Sequence, residues 1–251
     1  MAHIIAVLNQ KGGVGKTTTT INLAAYLAKF GKTVLIVDSD PQGNATSGLG
    51  FEKQNDATTY QVLLGLVSPE DATLETAFAG VALMPANTNL AAAEIELMDQ
   101  SDKENRLKKA LVGLQYDYIL IDCPPALSLL TVDALVAANW LLVPVQAEYY
   151  AMEGLGQLME VFQRVKQTMN PNLNLLGVLV TMYDKRTSLA EQVVTELQKY
   201  FGETVFKTHI PRNVRLAEAP SHGKPISEHD KWSKGARAYK QFSKEVMNRA
   251  S

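Results

Sequence analysis

Short runs of consecutive apolar residues, many of them β-branched, alternate along this chain with longer segments that have the periodicity of helices. Continuous apolar runs are typical of parallel strands that are buried on both faces of a sheet. The runs predict strands at Ile4–Leu8, Val34–Val37, Val81–Met84, Tyr118–Ile121, Trp140–Val145, Leu175–Val180 and, from a weaker pattern, Thr204–Phe206. The helical segments predict helices at Thr17–Phe30, Leu90–Met98, Glu104–Leu114, Leu129–Ala137, Met152–Met169, Ser188–Tyr200 and Lys234–Asn248.

The regular alternation of strands and helices predicts an α/β fold, namely a doubly wound, mostly parallel sheet with helices on both faces. The sequence has no internal repeat or linker, so it predicts a single domain over residues 1–251. The segment Phe51–Ala79 is the least regular part of the chain, with short helical signals at Thr58–Leu66 and Pro69–Ala79.

A glycine-rich segment, Gln10–Thr18, lies between the first predicted strand and the first predicted helix. Its three glycines within four positions let backbone N–H groups turn towards an anion, and the helix N-terminus adds a favourable dipole. This pattern predicts the phosphate-binding loop of a P-loop NTPase, in which Lys16 reaches the β- and γ-phosphates and the Thr17 hydroxyl binds Mg²⁺. The predicted ATP-binding residues of the loop are Lys11, Gly12, Gly13, Val14, Gly15, Lys16, Thr17 and Thr18.

One position departs from the strict phosphate-loop pattern. Gln10 stands where that pattern has its first glycine, and a second lysine, Lys11, follows it. Lys11 is poorly placed to serve the nucleotide of its own loop. A second subunit that faces the first could receive this lysine across a shared interface.

Carboxylates follow two of the predicted strands, at the sheet edge where open α/β folds bind ligands. Asp122 ends a buried strand, as expected of the acid that holds Mg²⁺, commonly through water. Asp40 is placed to orient or deprotonate the attacking water, although it could also form only an Asx turn before Pro41. Asp38 is the less exposed acid, and we expect it to cap backbone N–H groups or to help position the Mg²⁺ shell.

Composition limits the class of protein. Hydrophobic residues make up 46% of the chain and charged residues 20%, as in ordinary soluble globular proteins. Cys123 is the single cysteine, which excludes a disulfide framework, fits a reducing cytosol and suggests a small buried hydrophobe rather than a nucleophile. The sequence shows no signal peptide and no apolar run of the ~18 residues that span a bilayer. These features predict a cytoplasmic protein.

The net charge of −2 is unevenly distributed. Residues 183–251 hold 13 lysines and arginines against 8 acids, whereas residues 1–182 hold 11 against 18. The basic part could bind polyanions or could be an ordinary solvated surface. The last predicted helix adds an apolar stripe, which would suit docking on a core better than lying on a membrane. The stripe consists of Trp232, Ala236, Tyr239, Phe242 and Val246.

Four segments together resemble the ParA/Soj family of partition ATPases, whose phosphate loop is called a deviant Walker A motif. They are Lys11–Thr18, Asp38–Asn44, Ile121–Pro125 and Ile210–Pro225, so the resemblance covers nearly the whole chain. It implies an ATP-dependent nucleotide-sandwich homodimer in which Lys11 of each subunit approaches the phosphates bound by the other. Lys11, Lys16 and Asp40 would then be catalytic, Thr17, Asp122 and Asp38 would serve the metal, and Pro211 and Asn213 would lie beside the adenine.

The resemblance also implies that the ATP dimer binds duplex DNA without sequence preference, associates with the nucleoid and is stimulated by a ParB-like partner. Arg186 and Arg215 match the basic residues of the family best, and Lys185, Arg212 and Lys224 are further candidates. The chain begins at the phosphate loop, as in the short, chromosomal kind of relative. Two alternatives are a membrane-binding ATPase similar to MinD and a ParA-like ATPase that positions another cargo, such as carboxysomes. An electron carrier similar to nitrogenase reductase is excluded because it would need more cysteines.

Overall fold

The computed structural model describes residues 2–148, 152 and 154–250, and these residues form a seven-stranded sheet. The strands are β1 (His3–Val7), β2 (Val34–Asp38), β3 (Leu74–Glu75), β4 (Val81–Met84), β5 (Tyr118–Asp122), β6 (Trp140–Gln146) and β7 (Asn174–Thr181). They lie in the order β3-β4-β2-β5-β1-β6-β7, and only β3 runs antiparallel to its neighbour. The prediction of a mostly parallel α/β sheet is confirmed.

Helices connect the strands and cover both faces of the sheet. In chain order they are α1 (Lys16–Lys29), α2 (Asn44–Gly48), α3 (Thr59–Leu64), α4 (Leu90–Glu96), α5 (Arg106–Leu111), α6 (Leu129–Ala137), α7 (Leu155–Thr168), α8 (Ser188–Phe201), α9 (Val214–Glu218), α10 (Ile226–His229) and α11 (Lys234–Arg249). Short 3₁₀ helices occupy Lys103–Asn105, Gly202–Thr204 and Ala219–His222. The predicted start of α7 at Met152 includes residue 153, which lies outside the described residues.

Alternate residues of each strand face two separate cores. On β1, Ile5 and Val7 pack with α1 and α11, whereas Ala6 faces the core that α4 to α8 cover. Both cores are apolar, so the central strands are buried on both faces and read as continuous apolar runs in the sequence.

Two predicted elements are wrong. Thr204–Phe206 is not a strand, because the backbone carbonyls of Thr204 and Val205 accept hydrogen bonds from the Arg249 guanidinium instead of joining a ladder, apart from one isolated bridge. Pro69–Ala79 is not helical either. It contains β3, which reverses at Gly80 (φ +83°) to pair with β4.

The helical signal at Thr58–Leu66 corresponds to α3, which begins with a reciprocal cap. The Thr58 hydroxyl accepts the Tyr60 N–H, and the Gln61 side chain accepts the Thr58 N–H at 3.0 Å. Such a capping box satisfies N–H groups that the first helical turn leaves without partners. Local side chains therefore fix the start of this short helix.

The apolar stripe of α11 packs against the protein core. Ala236, Tyr239, Phe242 and Val246 are fully buried, while Trp232, which precedes the helix, is 79% exposed. The face that a membrane-lying helix would insert is therefore occupied by α1 and the sheet. Within the described residues, no helix is long and apolar enough to cross a bilayer.

Gly177 of β7 lies next to Arg249 at the end of α11, which donates a hydrogen bond to the Leu176 carbonyl. A Cβ built on Gly177, whose φ is +154°, would lie 2.7 Å from the Phe206 ring and closer still to the Thr204 carbonyl and the Arg249 guanidinium. We predict that Gly177→Ala lowers the free energy of unfolding by roughly 2–3 kcal/mol, because neighbouring groups must move apart. Chemical denaturation measures this loss.

Gly156→Ala is the matched control, since Gly156 lies in α7 and its Cβ would meet nothing within 4 Å. We expect this variant to be unchanged or more stable by up to about 1 kcal/mol, because alanine favours helices. Equal stabilities of the two variants would contradict the close approach at Gly177.

Candidate functional site

The carboxyl ends of three adjacent strands, β2, β5 and β1, meet at one edge of the sheet. In the ladder, Asp122 of β5 lies beside Val7 of β1 on one side and beside Asp38 of β2 on the other. The phosphate loop follows β1 directly, so the loop and the acids come together although they are far apart in sequence. This is the edge at which open α/β sheets bind ligands.

The glycines of the phosphate loop adopt backbone conformations that other residues rarely take. Gly13 has a φ of +76°, and Gly15, which precedes α1, has a φ of +89°. A Cβ built at Gly12 or Gly13 would meet no atom of the described residues within 4 Å, so there is open space beside this part of the loop. The loop therefore forms a cradle for an anion at the N-terminus of a 14-residue helix.

The Lys16 side chain lies inside this cradle and is only 7% exposed. Its Nζ donates a hydrogen bond of 3.3 Å to the Lys11 backbone carbonyl, across the loop. Burial lowers the pKa of Lys16, and the nearby carboxylate of Asp122 opposes that shift. A buried ammonium group with one long hydrogen bond is well suited to receive an anionic ligand.

Asp122 anchors the first turn of α1. The Thr17 hydroxyl donates to its Oδ2 at 2.7 Å, and the Thr20 hydroxyl donates to its Oδ1 at 3.0 Å. Burial raises the pKa of Asp122, and the neighbouring Asp38 raises it further. The paired hydroxyl and carboxylate of Thr17 and Asp122 form an oxygen-rich site of the kind that hard divalent cations prefer.

Asp38 is fully buried, and neighbouring groups use both of its oxygens. Oδ2 accepts the backbone N–H of Thr46 at 2.8 Å and its hydroxyl at 2.7 Å, while Oδ1 accepts the Asp40 N–H at 3.2 Å. Burial raises the pKa of Asp38. These bonds are the backbone-capping arrangement that the sequence predicts for this acid. A contribution of Asp38 to the metal site stays a prediction.

Asp40 is 6% exposed and lies on the turn that follows β2. Its Oδ1 accepts the Gln42 N–H at 2.9 Å, so the Asx turn that the sequence offers as an alternative is present. In the described part of the chain no side-chain or backbone donor bonds to its Oδ2. One oxygen therefore fixes the turn and leaves the other for a ligand or water.

The Lys11 side chain has its ion pair with an acid outside the phosphate loop, Glu148, which follows β6. Its Nζ lies 4.0 Å from the Glu148 carboxylate and its side chain is 39% exposed, while its backbone N–H donates to Asn9. Glu148 also pairs with Arg212 at 3.3 Å. A partly exposed lysine held by one surface ion pair is free to change partners, since such pairs contribute about 0–1 kcal/mol.

The loop that carries Pro211 and Asn213 is connected to the phosphate loop through the end of β7. The Thr181 hydroxyl donates to the Val14 carbonyl at 2.7 Å, and two residues later Tyr183 forms a bridge to Pro211. The Asn213 side chain accepts the Leu216 N–H and caps α9. The end of β7 therefore contacts the phosphate loop through Thr181 and the Pro211 loop through Tyr183.

The five basic candidates are exposed, but three of them have acidic partners. The Arg186 side chain makes two hydrogen bonds to Asp184, at 2.9 and 2.6 Å, and Arg215 pairs with Glu218 at 2.9 Å. The Arg212 side chain pairs with Glu148. The fourth and fifth, Lys185 and Lys224, make no ion pair within the described residues. The structure therefore brings these residues to the surface without gathering them into one cluster of free charge.

Several residues of the site were missed by the sequence analysis. Thr181, Thr20 and Thr46 fix the phosphate loop, Asp122 and Asp38 respectively, but none is charged or part of a glycine-rich motif. Thr181 could have been found because it directly follows the predicted buried strand Leu175–Val180, at the same sheet edge. The Cys123 thiol is buried with a raised pKa, as expected of a small core residue.

Comparison with known proteins identifies the family. A family model described as an AAA domain matches residues 2–175. The chain is 53% identical to sporulation initiation inhibitor protein Soj of Bacillus subtilis, over 98% of each chain. It is also 53% identical to chromosome-partitioning ATPase Soj of Thermus thermophilus, over 98% of this chain and 95% of that protein.

The fold of the chain is also similar to that of a protein whose structure has been solved. Cobyrinic acid a,c-diamide synthase from Mycobacterium smegmatis, solved with bound ADP and magnesium, has a TM-score of 0.88 and 39% identity, covering 99% of this chain and 95% of that one. A TM-score of this size over nearly the full length of both chains shows that the two proteins share the fold. Because about half of all residues are shared with the Soj proteins over nearly the full length, the chain belongs to the ParA/Soj family of partition ATPases.

Proposed function

We propose that this ATPase dimerises around ATP, binds duplex DNA without sequence preference, and moves or positions a chromosome or plasmid together with a ParB-like partner. The observation that carries the proposal is the position of Lys11. This lysine lies in the phosphate loop, but its ammonium group has its ion pair with Glu148, which lies outside the loop. A dimer gives this charge a use in the partner's site, as the family resemblance implies.

The residues of the cradle fit a nucleoside triphosphate and Mg²⁺. The open space at Gly12 and Gly13 leaves room for phosphate oxygens, and the ammonium group of Lys16 is buried beside it. Thr17 and Asp122 would hold the metal, and Pro211 and Asn213 would lie against the adenine. A bound Mg²⁺ ion would neutralise charge on the phosphates and on the leaving group.

Within this site Asp40 has the role of orienting the attacking water and accepting its proton. The Asx turn keeps its carboxylate in place through Oδ1, which leaves Oδ2 for the water. Lys16 of the same subunit and Lys11 of the other stabilise negative charge on the transferred phosphoryl group. Hydrolysis then removes the group that holds the two subunits together.

We predict that the double variant Arg186→Ala/Arg215→Ala weakens DNA binding equally for all sequences and spares ATP-dependent dimerisation. Each phosphate contact contributes about −0.9 to the slope of log K against log salt concentration. The slope should therefore flatten by about one unit for each arginine that no longer reaches a phosphate, or by about two if both subunits bind the duplex. Fluorescence anisotropy with a labelled duplex, at several salt concentrations with ATP, measures the slope.

Lys108→Ala is the control, because Lys108 is exposed on α5 and outside the proposed surface. This variant should bind DNA as the unchanged protein does. An unchanged salt slope in the double variant would remove Arg186 and Arg215 from the DNA interface. Binding to anionic vesicles but not to DNA, at equal ionic strength with ATP, would favour the MinD-like alternative.

A further inference from the structure

The exposed face of α11 carries a row of cations that the proposed function has not used. Lys234, Arg237, Lys240 and Lys244 are all exposed and follow one another at intervals of three or four residues. At 100° per residue they fall within an arc of about 120°, opposite the buried apolar stripe. With a rise of 1.5 Å per residue, the row is roughly 15 Å long.

These four cations are not neutralised by the chain itself. None of them makes an ion pair within the described residues, in contrast to Arg186 and Arg215. The helix contains a single acid, Glu245, and its carboxylate accepts the backbone N–H groups of Lys207 and Thr208. The face therefore presents more uncompensated positive charge than the two arginines that match the family best.

The row is continuous with the surface around Arg215. The Arg215 Nε lies 3.7 Å from the Asp230 carboxylate, just before α11 begins. Leu216, the next residue of α9, packs so closely on Gly235 of α11 that a Cβ there would lie 2.7 Å from its side chain. Arg215 and the first turn of α11 are thus neighbours on one surface.

The helix that carries the row is rigidly held. The Tyr239 hydroxyl and the Thr19 hydroxyl of α1 lie 3.1 Å apart in a buried hydrogen bond, and Arg249 donates to four backbone carbonyls at the other end of α11. The helix backbone keeps the spacing of the row fixed, so binding to a regular polyanion has to order only the lysine and arginine side chains.

We infer that the exposed face of α11 is a phosphate-contacting surface, which extends the duplex DNA interface from Arg215 along the helix. This inference rests on the proposed DNA-binding function. Charge complementarity favours DNA over a membrane, because the apolar side of α11 is buried and only Trp232 at its start could enter a bilayer. Two subunits of the ATP dimer would present two such rows.

The test compares two charge-matched double variants, Lys240→Gln/Lys244→Gln on α11 and Lys108→Gln/Lys109→Gln on α5. All four lysines are exposed, and each variant loses two positive charges per chain, although Lys109, unlike the other three, pairs with Asp102. Duplex DNA binding is measured by anisotropy with ATP at several salt concentrations. The α11 variant should flatten the slope of log K against log salt by about 0.9 for each phosphate that the helix no longer neutralises, whereas the α5 variant should keep the slope of the unchanged protein.

Light scattering with ATP provides a readout that separates this effect from damage to the fold, and both variants should dimerise normally. Equal DNA binding by the two variants, while the unchanged protein binds DNA, would overturn the role of α11 and leave the proposed function intact. Absence of DNA binding by the unchanged protein would overturn both. If the α11 variant lost binding to anionic phosphatidylglycerol vesicles but kept the DNA binding of the unchanged protein, the inference would be overturned in favour of a lipid surface.

Discussion

Replacing Lys11 by alanine should abolish the ATP dimer and lower the rate of ATP hydrolysis roughly 10³–10⁵-fold, the range expected for a charge supplied from a second subunit. Nucleotide binding should be nearly unchanged, because Lys11 pairs with Glu148 and not with its own cradle. The loss of that ion pair costs little stability, since both side chains are about 40% exposed. Light scattering and a phosphate-release assay measure the two effects.

Lys108→Ala again serves as the control, because it removes an exposed lysine that is remote from the phosphate loop. It should dimerise and hydrolyse ATP as the unchanged protein does. If Lys11→Ala still formed a full ATP dimer, the shared interface would not contain this lysine, and the nucleotide-sandwich arrangement would be wrong.

Asp40→Ala should separate binding from hydrolysis. The carboxylate orients water but does not hold the phosphates, so ATP should still bind while hydrolysis slows by about 10²–10⁴-fold. The protein should then accumulate as a long-lived ATP dimer. Lys16→Ala makes the useful contrast, because it removes the buried ammonium group of the cradle and should lose nucleotide binding itself.

Asp40 also forms the Asx turn, so a second variant tests whether the effect is structural. Asp40→Asn keeps an oxygen that can accept the Gln42 N–H, but it cannot accept a proton from water. We expect it to hydrolyse ATP as slowly as Asp40→Ala. Hydrolysis at the unchanged rate in Asp40→Asn would contradict the assigned role, and Asp38 would be the next candidate.

Two acids of the site were predictable because each directly follows a buried apolar run. Asp38 and Asp122 end their strands, and parallel strands bring such ends to one sheet edge. The sequence could not show how their oxygens are shared. In the structure Asp122 accepts hydrogen bonds from Thr17 and Thr20, and Asp38 accepts them from Thr46. Thr17 belongs to the phosphate-loop motif, but no motif marks Thr20 or Thr46.

The wrong strand prediction has a physical cause that lies outside the segment itself. The pattern at Thr204–Phe206 resembles a strand, but the guanidinium of a distant residue, Arg249, donates to the carbonyls that a ladder would need.

For α11, the sequence pattern predicts an amphipathic helix without showing which elements cover its apolar side. Only the fold reveals that Tyr239 and Phe242 face the core, which leaves the basic side to the surface.

The most direct test of the nucleotide-dependent dimer is the mass of Asp40→Ala in solution with ATP and Mg²⁺, measured by light scattering and compared with the same variant in ADP. We predict twice the 27.5 kDa mass of one chain with ATP and a single chain mass with ADP. A single chain mass in both nucleotides, with ATP binding confirmed, would contradict the dimer on which the proposed function depends.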